Sequence, residues 1–212
     1  TFTFAPSTHL LENLRDLFAY RGGLFLRWAG NTVLYAIGGA LASTLVSAAA
    51  GYGLALFDFR GKKLFFNVIL AGVLLPAVIL AVPQYLLFAQ AGLANTYWAV
   101  LLPSILNPYG IYLARIYAGA SIPREMVEAA RTDGAGELRM FRSITLPLLR
   151  PILAMVLVIT VTGAFQVFDT VAVTTGGGPV NATRVINYYI YDVAFTRGDF
   201  GYGSALAVAL FV

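Results

Sequence analysis

Long apolar runs divided by short polar links dominate this chain. Four runs are long enough to cross a hydrocarbon core as helices, at about 30–57, 64–89, 96–118 and 147–168, and a fifth opens at 201 and continues to 212. A membrane helix needs about 20 mostly apolar residues. The runs lack the alternation of barrel strands, and an open strand leaves backbone groups unpaired in lipid, so the pattern predicts helices throughout. The expected fold is all-α, a polytopic membrane bundle with five visible spans. Pro76, Pro83, Pro103, Pro108 and Pro151 predict kinks inside the runs, where each removes a backbone donor. The chain opens at Thr1 without Met and stops at Val212 inside an apolar run, as if trimmed at both ends. A further span before Thr1 would make six helices in all.

Composition agrees with this picture. Hydrophobic residues make up 59% and charged residues only 11%, against about 25% charged in soluble domains. The net charge of +4 does not point to nucleic acid, because the basic residues gather in links and form no continuous stripe. Their placement gives orientation instead. Link 58–63 carries Arg60, Lys62 and Lys63, and link 119–146 carries Arg124, Arg131, Arg139 and Arg142; link 90–95 carries none, and 169–200 has only Arg184 and Arg197. Positive loops stay inside, so 58–63 and 119–146 are expected in the cytoplasm and 1–28 and 169–200 outside. Arg15, Arg21 and Arg27 run against that rule.

Several function classes lose support on residue types alone. There is no cysteine, which excludes disulfides and thiolate metal sites. The only histidine is His9, in an extramembrane segment, and no carboxylate pair or metal-ligand set sits at membrane depth, so catalysis and a metal site are not expected. No P-loop is present, so any ATP hydrolysis belongs to a partner. No Lys, Arg, Asp or Glu is expected deep in a span, which argues against a proton- or sodium-coupled carrier.

Three segments are candidates for function. In 119–146, Ser121 reads as an N-cap, with Pro123 and Glu125 in the first turn of a short helix. That helix would run through Met126, Val127, Ala129 and Ala130 and end near Gly134, a natural residue for a left-handed helix stop. A second helix would place Leu138, Phe141 and Ile144 on one stripe, and Pro147 would start the next span. The small residues Ala129, Ala130, Gly134, Ala135 and Gly136 form a smooth surface ringed by Arg124, Glu128, Arg131 and Asp133, which suits docking; a solvated hairpin linking two spans would carry the same charges. The second candidate is the set of polar residues inside spans: Asn31, Gln84, Asn107 and Gln166, with Tyr85, Tyr109, Tyr112 and Phe165 nearby. Amides bond hydroxyls in either sense and aromatic faces suit a sugar ring, although amides also fasten helices to one another. The third is the long outer segment 169–200, with Gly176, Gly177, Gly178, Pro179 and Asn181. It lacks the Lys-Ser/Thr of a phosphate cradle, and such length is uncommon without a role. Small residues along the first span (Gly38, Gly39, Ala42, Ser43, Ser47, Gly51 and Gly53) permit close helix packing.

Glu128-Ala129-Ala130, three residues, Gly134, nine residues, then Ile144-Thr145-Leu146-Pro147 resembles the EAA signature of ABC importer permeases. Asp133-Gly134-Ala135, Phe141 and Pro151 resemble its carbohydrate branch, of which the maltose importer is the archetype, as does Asn95-Thr96-Tyr97-Trp98. The resemblance implies the type I importer fold, with 119–146 as a cytoplasmic coupling-helix hairpin that fits a cleft in an ATPase subunit. Arg124, Glu128, Ala129, Ala130, Asp133, Gly134 and Ala135 would form the coupling surface, with Glu128 facing a basic residue and Gly134 permitting the turn. It further implies a bacterial or archaeal inner-membrane protein, partnered by membrane lipid, a second permease, an ATPase dimer holding ATP and Mg, and a solute-binding protein. The outer loop would reach into that binding protein. The membrane half over 76–115 resembles the smaller maltose-type permease subunit, whereas Thr174-Thr175-Gly176-Gly177-Gly178-Pro179 resembles a motif commoner in the other, so either half of a heterodimer remains open. The cargo expected is a sugar or oligosaccharide; a glycerophosphodiester or polyol importer and a secondary carrier are the alternatives.

Overall fold

The computed structural model describes residues 15, 17–19 and 23–211, and every regular element among them is helical. His9 and Arg21 lie outside the described residues. Helix α1 (Leu24–Leu56) is a single 33-residue rod with a π turn at Leu34–Gly39. It is followed by α2 (Lys62–Leu74), α3 (Ala77–Gln90), α4 (Tyr97–Ile105), α5 (Pro108–Ser121) and α6 (Arg124–Thr132). Helix α7 (Glu137–Phe165) is again one rod, with a π turn at Phe141–Thr145. Short helices α8 (Asp169–Thr174) and α9 (Ile186–Tyr191) and the final α10 (Phe200–Phe211) complete the chain, with a π turn at Asp192–Thr196 extending α9.

Prolines decide where the rods break. Leu75, Asn107 and Ile122 each precede a proline and each is extended rather than helical, because the proline ring clashes with a helical neighbour before it. Two expected spans are therefore not continuous. The run at 64–89 is broken at Pro76, where Lys62–Leu74 and Ile79–Gln90 diverge by 116°. The run at 96–118 is split at Leu106 and Asn107 into α4 and α5; Asn107 Oδ1 accepts from Gly110 N at 3.1 Å and caps α5, with Pro108 at its first position. Pro83, Pro103 and Pro151 sit inside helices that continue through them. The run at 147–168 belongs to a helix that starts at Glu137, before Pro147. Among the described residues, α1 and α7 are the single helices long and apolar enough to cross a membrane, and α2 with α3 reach that length only as a bent pair.

Helices α1, α5 and α7 pack on one another as the centre of the bundle, and α2 leans on α5. Ser43, Ser47 and Gly51 recur on one face of α1 and are buried. A Cβ on Gly51 would stand 2.6 Å from Ala114 Cβ and 2.8 Å from the Arg115 backbone nitrogen, so α1 and α5 meet backbone to backbone. Gly53 is not part of that seam, since nothing lies within 4 Å of a Cβ placed there. Three apolar clusters follow α1 along its length. Phe25 and Trp28 meet Ile186, Tyr189, Val193 and Leu206; Tyr35 meets Val100, Val171 and Val185; Ala118, Ile122, Val127, Met140 and Leu149 gather at the far end. The exterior is apolar: α2 has no buried residue, and Leu64, Phe65, Val68 and Leu74 are exposed, the inverse of a water-facing helix. Near the end of the run at 96–118, Arg115 of α5 lays its guanidinium 3.7 Å from the centre of the Phe66 ring, with Nε buried and unbonded.

Candidate functional site

At the far end of the bundle, α6 and the first turn of α7 form a charged elbow. Ser121, the expected N-cap, is the last residue of α5, and Pro123 takes the cap position of α6 without a side-chain hydrogen bond. Glu125 does fall in the first turn. Val127 is the anchor: it is buried against Ala118, Ile122, Met140 and Leu149, a burial worth roughly 2 kcal/mol. The stop at Gly134 is a complete Schellman motif. Gly134 has φ +79°, its N–H donates to Arg131 O at 3.0 Å, and Ala135 N–H donates to Ala130 O at 2.9 Å. Ala130 and Ala135, partly buried, pack on the same cluster.

The opposite face of α6 is open. Arg124, Glu128, Ala129 and Asp133 are exposed, and the hydrogen bond Glu128 makes is through its backbone carbonyl, to Thr132 Oγ1 at 3.0 Å. Pockets of about 260 Å³ (bordered by Asp58, Arg124, Glu128 and Arg131) and about 230 Å³ (bordered by Ala130, Asp133, Ala135 and Arg139) flank it. An exposed ion pair reaches from the elbow to the α1–α2 link. Lys62 Nζ donates to Phe57 O at 2.8 Å and to Asp58 Oδ1 at 3.1 Å, and Arg124 stands 3.8 Å from the same carboxylate. The Lys62 hydrogen bond and the two cations hold the Asp58 carboxyl below its ordinary range. In the second helix the expected stripe is displaced: Met140 is buried and Leu138 is 73% exposed, while Phe141 and Ile144 are half-buried. The π turn at Phe141–Thr145 is the reason, since it rotates the first turn out of the 3.6-residue register of the rest.

Nearer the middle, Gln84, Asn107 and Gln166 converge on a cavity of about 570 Å³. Tyr85, Tyr109, Tyr112 and Phe165 do not border it. Tyr85 and Tyr109 face outward, and Tyr112 stacks on Phe66 with ring centres 6.0 Å apart. The wall also contains Tyr35, Ser104, Thr160 and Asp169, which the pattern of polar positions did not single out. Ser104 and Thr160 carry no such signal, because each hydroxyl bonds its own helix and reads as ordinary helix chemistry. Asp169 lies just past the apolar run and so counted as loop.

Segment 169–200 is a knot fastened to the start of α1. Thr183 Oγ1 donates to Gly178 O at 2.6 Å and lies 2.8 Å from Thr175 Oγ1, and Thr175 Oγ1 accepts from Gly177 N at 3.2 Å. Asn31, a candidate for the cavity, is instead spent on this loop: its Nδ2 donates to Ala182 O at 2.7 Å and to Arg184 O at 2.9 Å. Trp28 Nε1 donates to Asn181 O at 3.2 Å. Arg184 is caged beside Trp28, Tyr188 and Tyr189 and pairs with Asp192 at 2.8 Å. Val180 stands at the tip, 90% exposed.

Residues 43–212, which hold the elbow, the knot and all of the cavity wall but Tyr35, match the family described as binding-protein-dependent transport system inner membrane component. The chain belongs to that family. It is 40% identical over 154 residues to the arabinooligosaccharides transport system permease protein AraQ of Halalkalibacterium halodurans, covering 73% of this chain and 54% of that protein. It is 34% identical to the lactose transport system permease protein LacG of Rhizobium radiobacter, covering 72% and 55%. The chain thus spans about half the length of the curated relatives it matches. Its fold is that of a chain in the crystal structure of a bacterial ABC transporter involved in the import of the acidic polysaccharide alginate, with a TM-score of 0.77 and 20% identity over 94% of this chain and 73% of that one. The membership accounts for the apolar exterior of this family member and gives its place as an inner membrane component.

Proposed function

We propose that this chain is one permease subunit of an ATP-driven importer of sugars or oligosaccharides, and that its elbow docks into a partner ATPase on the cytoplasmic side. The observation that carries this reading is the elbow itself. A helix anchored by Val127 and closed by Gly134 presents Arg124, Glu128, Ala129 and Asp133 outward, with two flanking pockets, inside a segment matched to the transport family. Nucleotide-driven closure of the ATPase dimer would move the elbow, and differential affinity of each partner for two states would alternate access to the cavity. The relatives named for arabinooligosaccharide and lactose transport support a carbohydrate cargo. Gln84, Asn107 and Gln166 are the residues of this chain proposed to meet it, by amide hydrogen bonds to hydroxyls. ATP and Mg would be held by the partner.

The test is uptake by the complete complex in proteoliposomes. Transport should require ATP, the ATPase subunits and the binding protein, and Glu128→Lys or Gly134→Pro should uncouple sugar uptake from ATP hydrolysis while the permease still inserts. Uptake by this chain alone would instead favour a secondary carrier, and normal uptake in both variants would remove the docking role.

A further inference from the structure

Three helices converge on the carboxylate of Glu137, the first residue of α7. The Tyr52 hydroxyl, one turn from the end of α1, donates to Glu137 Oε2 at 3.0 Å. Arg131, in the last turn of α6, holds Oε1 from two nitrogens, Nε at 3.0 Å and Nη2 at 2.9 Å. Tyr52 is 6% exposed, and the rings of Phe57 and Phe141 lie 5.4 and 5.5 Å from its own. The Arg131 guanidinium also sits 5.5 Å from the centre of the Phe57 ring.

The chain path gives this cluster its importance. Helix α6 is joined covalently to α5 and to α7 through short turns, but α1 lies far back in the sequence, with Tyr52 85 residues before Glu137. Movement of the elbow therefore reaches α1 only through non-covalent contacts. Its apolar contacts there, Ala55 and Leu56 among them, are non-directional and can slide. A charge-assisted hydrogen bond cannot slide, because it weakens steeply once its geometry is lost. Helix α1 leads from Tyr52 to Tyr35 in the cavity wall.

We propose that Tyr52, Glu137 and Arg131 are the link that carries displacement of the elbow into α1. They act as positioning residues for transport, touching neither the ATPase nor the sugar; the proposal rests on the docking role proposed above.

The experiment uses the complete complex in proteoliposomes, with sugar uptake and ATP hydrolysis measured in the same vesicles. Tyr52→Phe removes one hydroxyl and keeps the ring; Glu137→Gln keeps the shape and removes the charge. Each variant should co-purify with the ATPase and hydrolyse ATP, while sugar moved per ATP falls by about tenfold, within the usual span of coupling energies. The double variant should fall no further than the worse single one, as for residues acting through one contact. Unchanged sugar per ATP in both single variants overturns the proposal, and so do losses that multiply in the double variant. Loss of ATPase co-purification in Tyr52→Phe also overturns it, by showing a role in assembly. Failure of the docking role looks different: Glu128→Lys would then transport normally, whatever Tyr52 and Glu137 do.

Discussion

Single residues in this chain carry work that their position along the sequence does not announce. Asn31 is an amide in an apolar run, and as such it was readable as either a path residue or helix glue; its two acceptors lie 151 and 153 residues away, beyond any local pattern. Truncating it leaves two carbonyls of the outer knot without their donor, at a cost of about 1–2 kcal/mol. Asn31→Ala should therefore lower the thermal midpoint of the detergent-solubilised protein and speed tryptic cleavage after Arg184, which the wild type keeps caged. An unchanged cleavage rate would show that the knot holds without α1. Gly134 is the opposite case. A glycine just past a short amphipathic helix reads directly as a left-handed stop, and φ +79° with both Schellman bonds is what stands there.

At the scale of elements, the helical class and the site of the elbow were legible because apolar length and proline chemistry are local properties. The boundaries were less so. Proline can kink a helix or end it; the helix ends where the preceding residue goes extended, as at Leu75, Asn107 and Ile122, and continues through Pro83. The π turns at Leu34–Gly39 and Phe141–Thr145 leave no composition signal, so the register of Leu138 and Met140 was out of reach. Small residues on α1 were readable as a packing surface, but only the structure separates those in the seam from those outside it. Gly51→Leu should force α1 from the α5 backbone, costing about 1–3 kcal/mol or more. Gly53→Ala, open to space, should be neutral or stabilise the helix by roughly 0.5–1 kcal/mol. Thermal unfolding of both variants in one detergent checks the contrast; equal losses would mean the seam is not tight.

For the whole molecule, the cavity was half legible. Amides inside apolar runs stand out, and Gln84, Asn107 and Gln166 do line the cavity, whereas the aromatic neighbours were assigned by proximity in sequence and none of the four borders it. The outer knot bears on the partner proposed for it. Its backbone is fastened on the inside while Val180 is 90% exposed, so contact with the proposed binding protein would include it. Val180→Asp should weaken binding-protein stimulation of ATP hydrolysis in the complete complex and leave the unstimulated rate unchanged; full stimulation would move that contact off Val180. One feature of α7 sets the mechanical scale. The 23 steps from Glu137 to Thr160 belong to one unbroken helix, roughly 35 Å at 1.5 Å per residue. A pivot at the elbow thus sweeps Thr160 by roughly 0.6 Å per degree, and about five degrees displaces that wall by the length of a hydrogen bond, about 3 Å. Helix α7 is itself a side of the cavity, so under the proposed coupling a single lever would gear nucleotide to cargo.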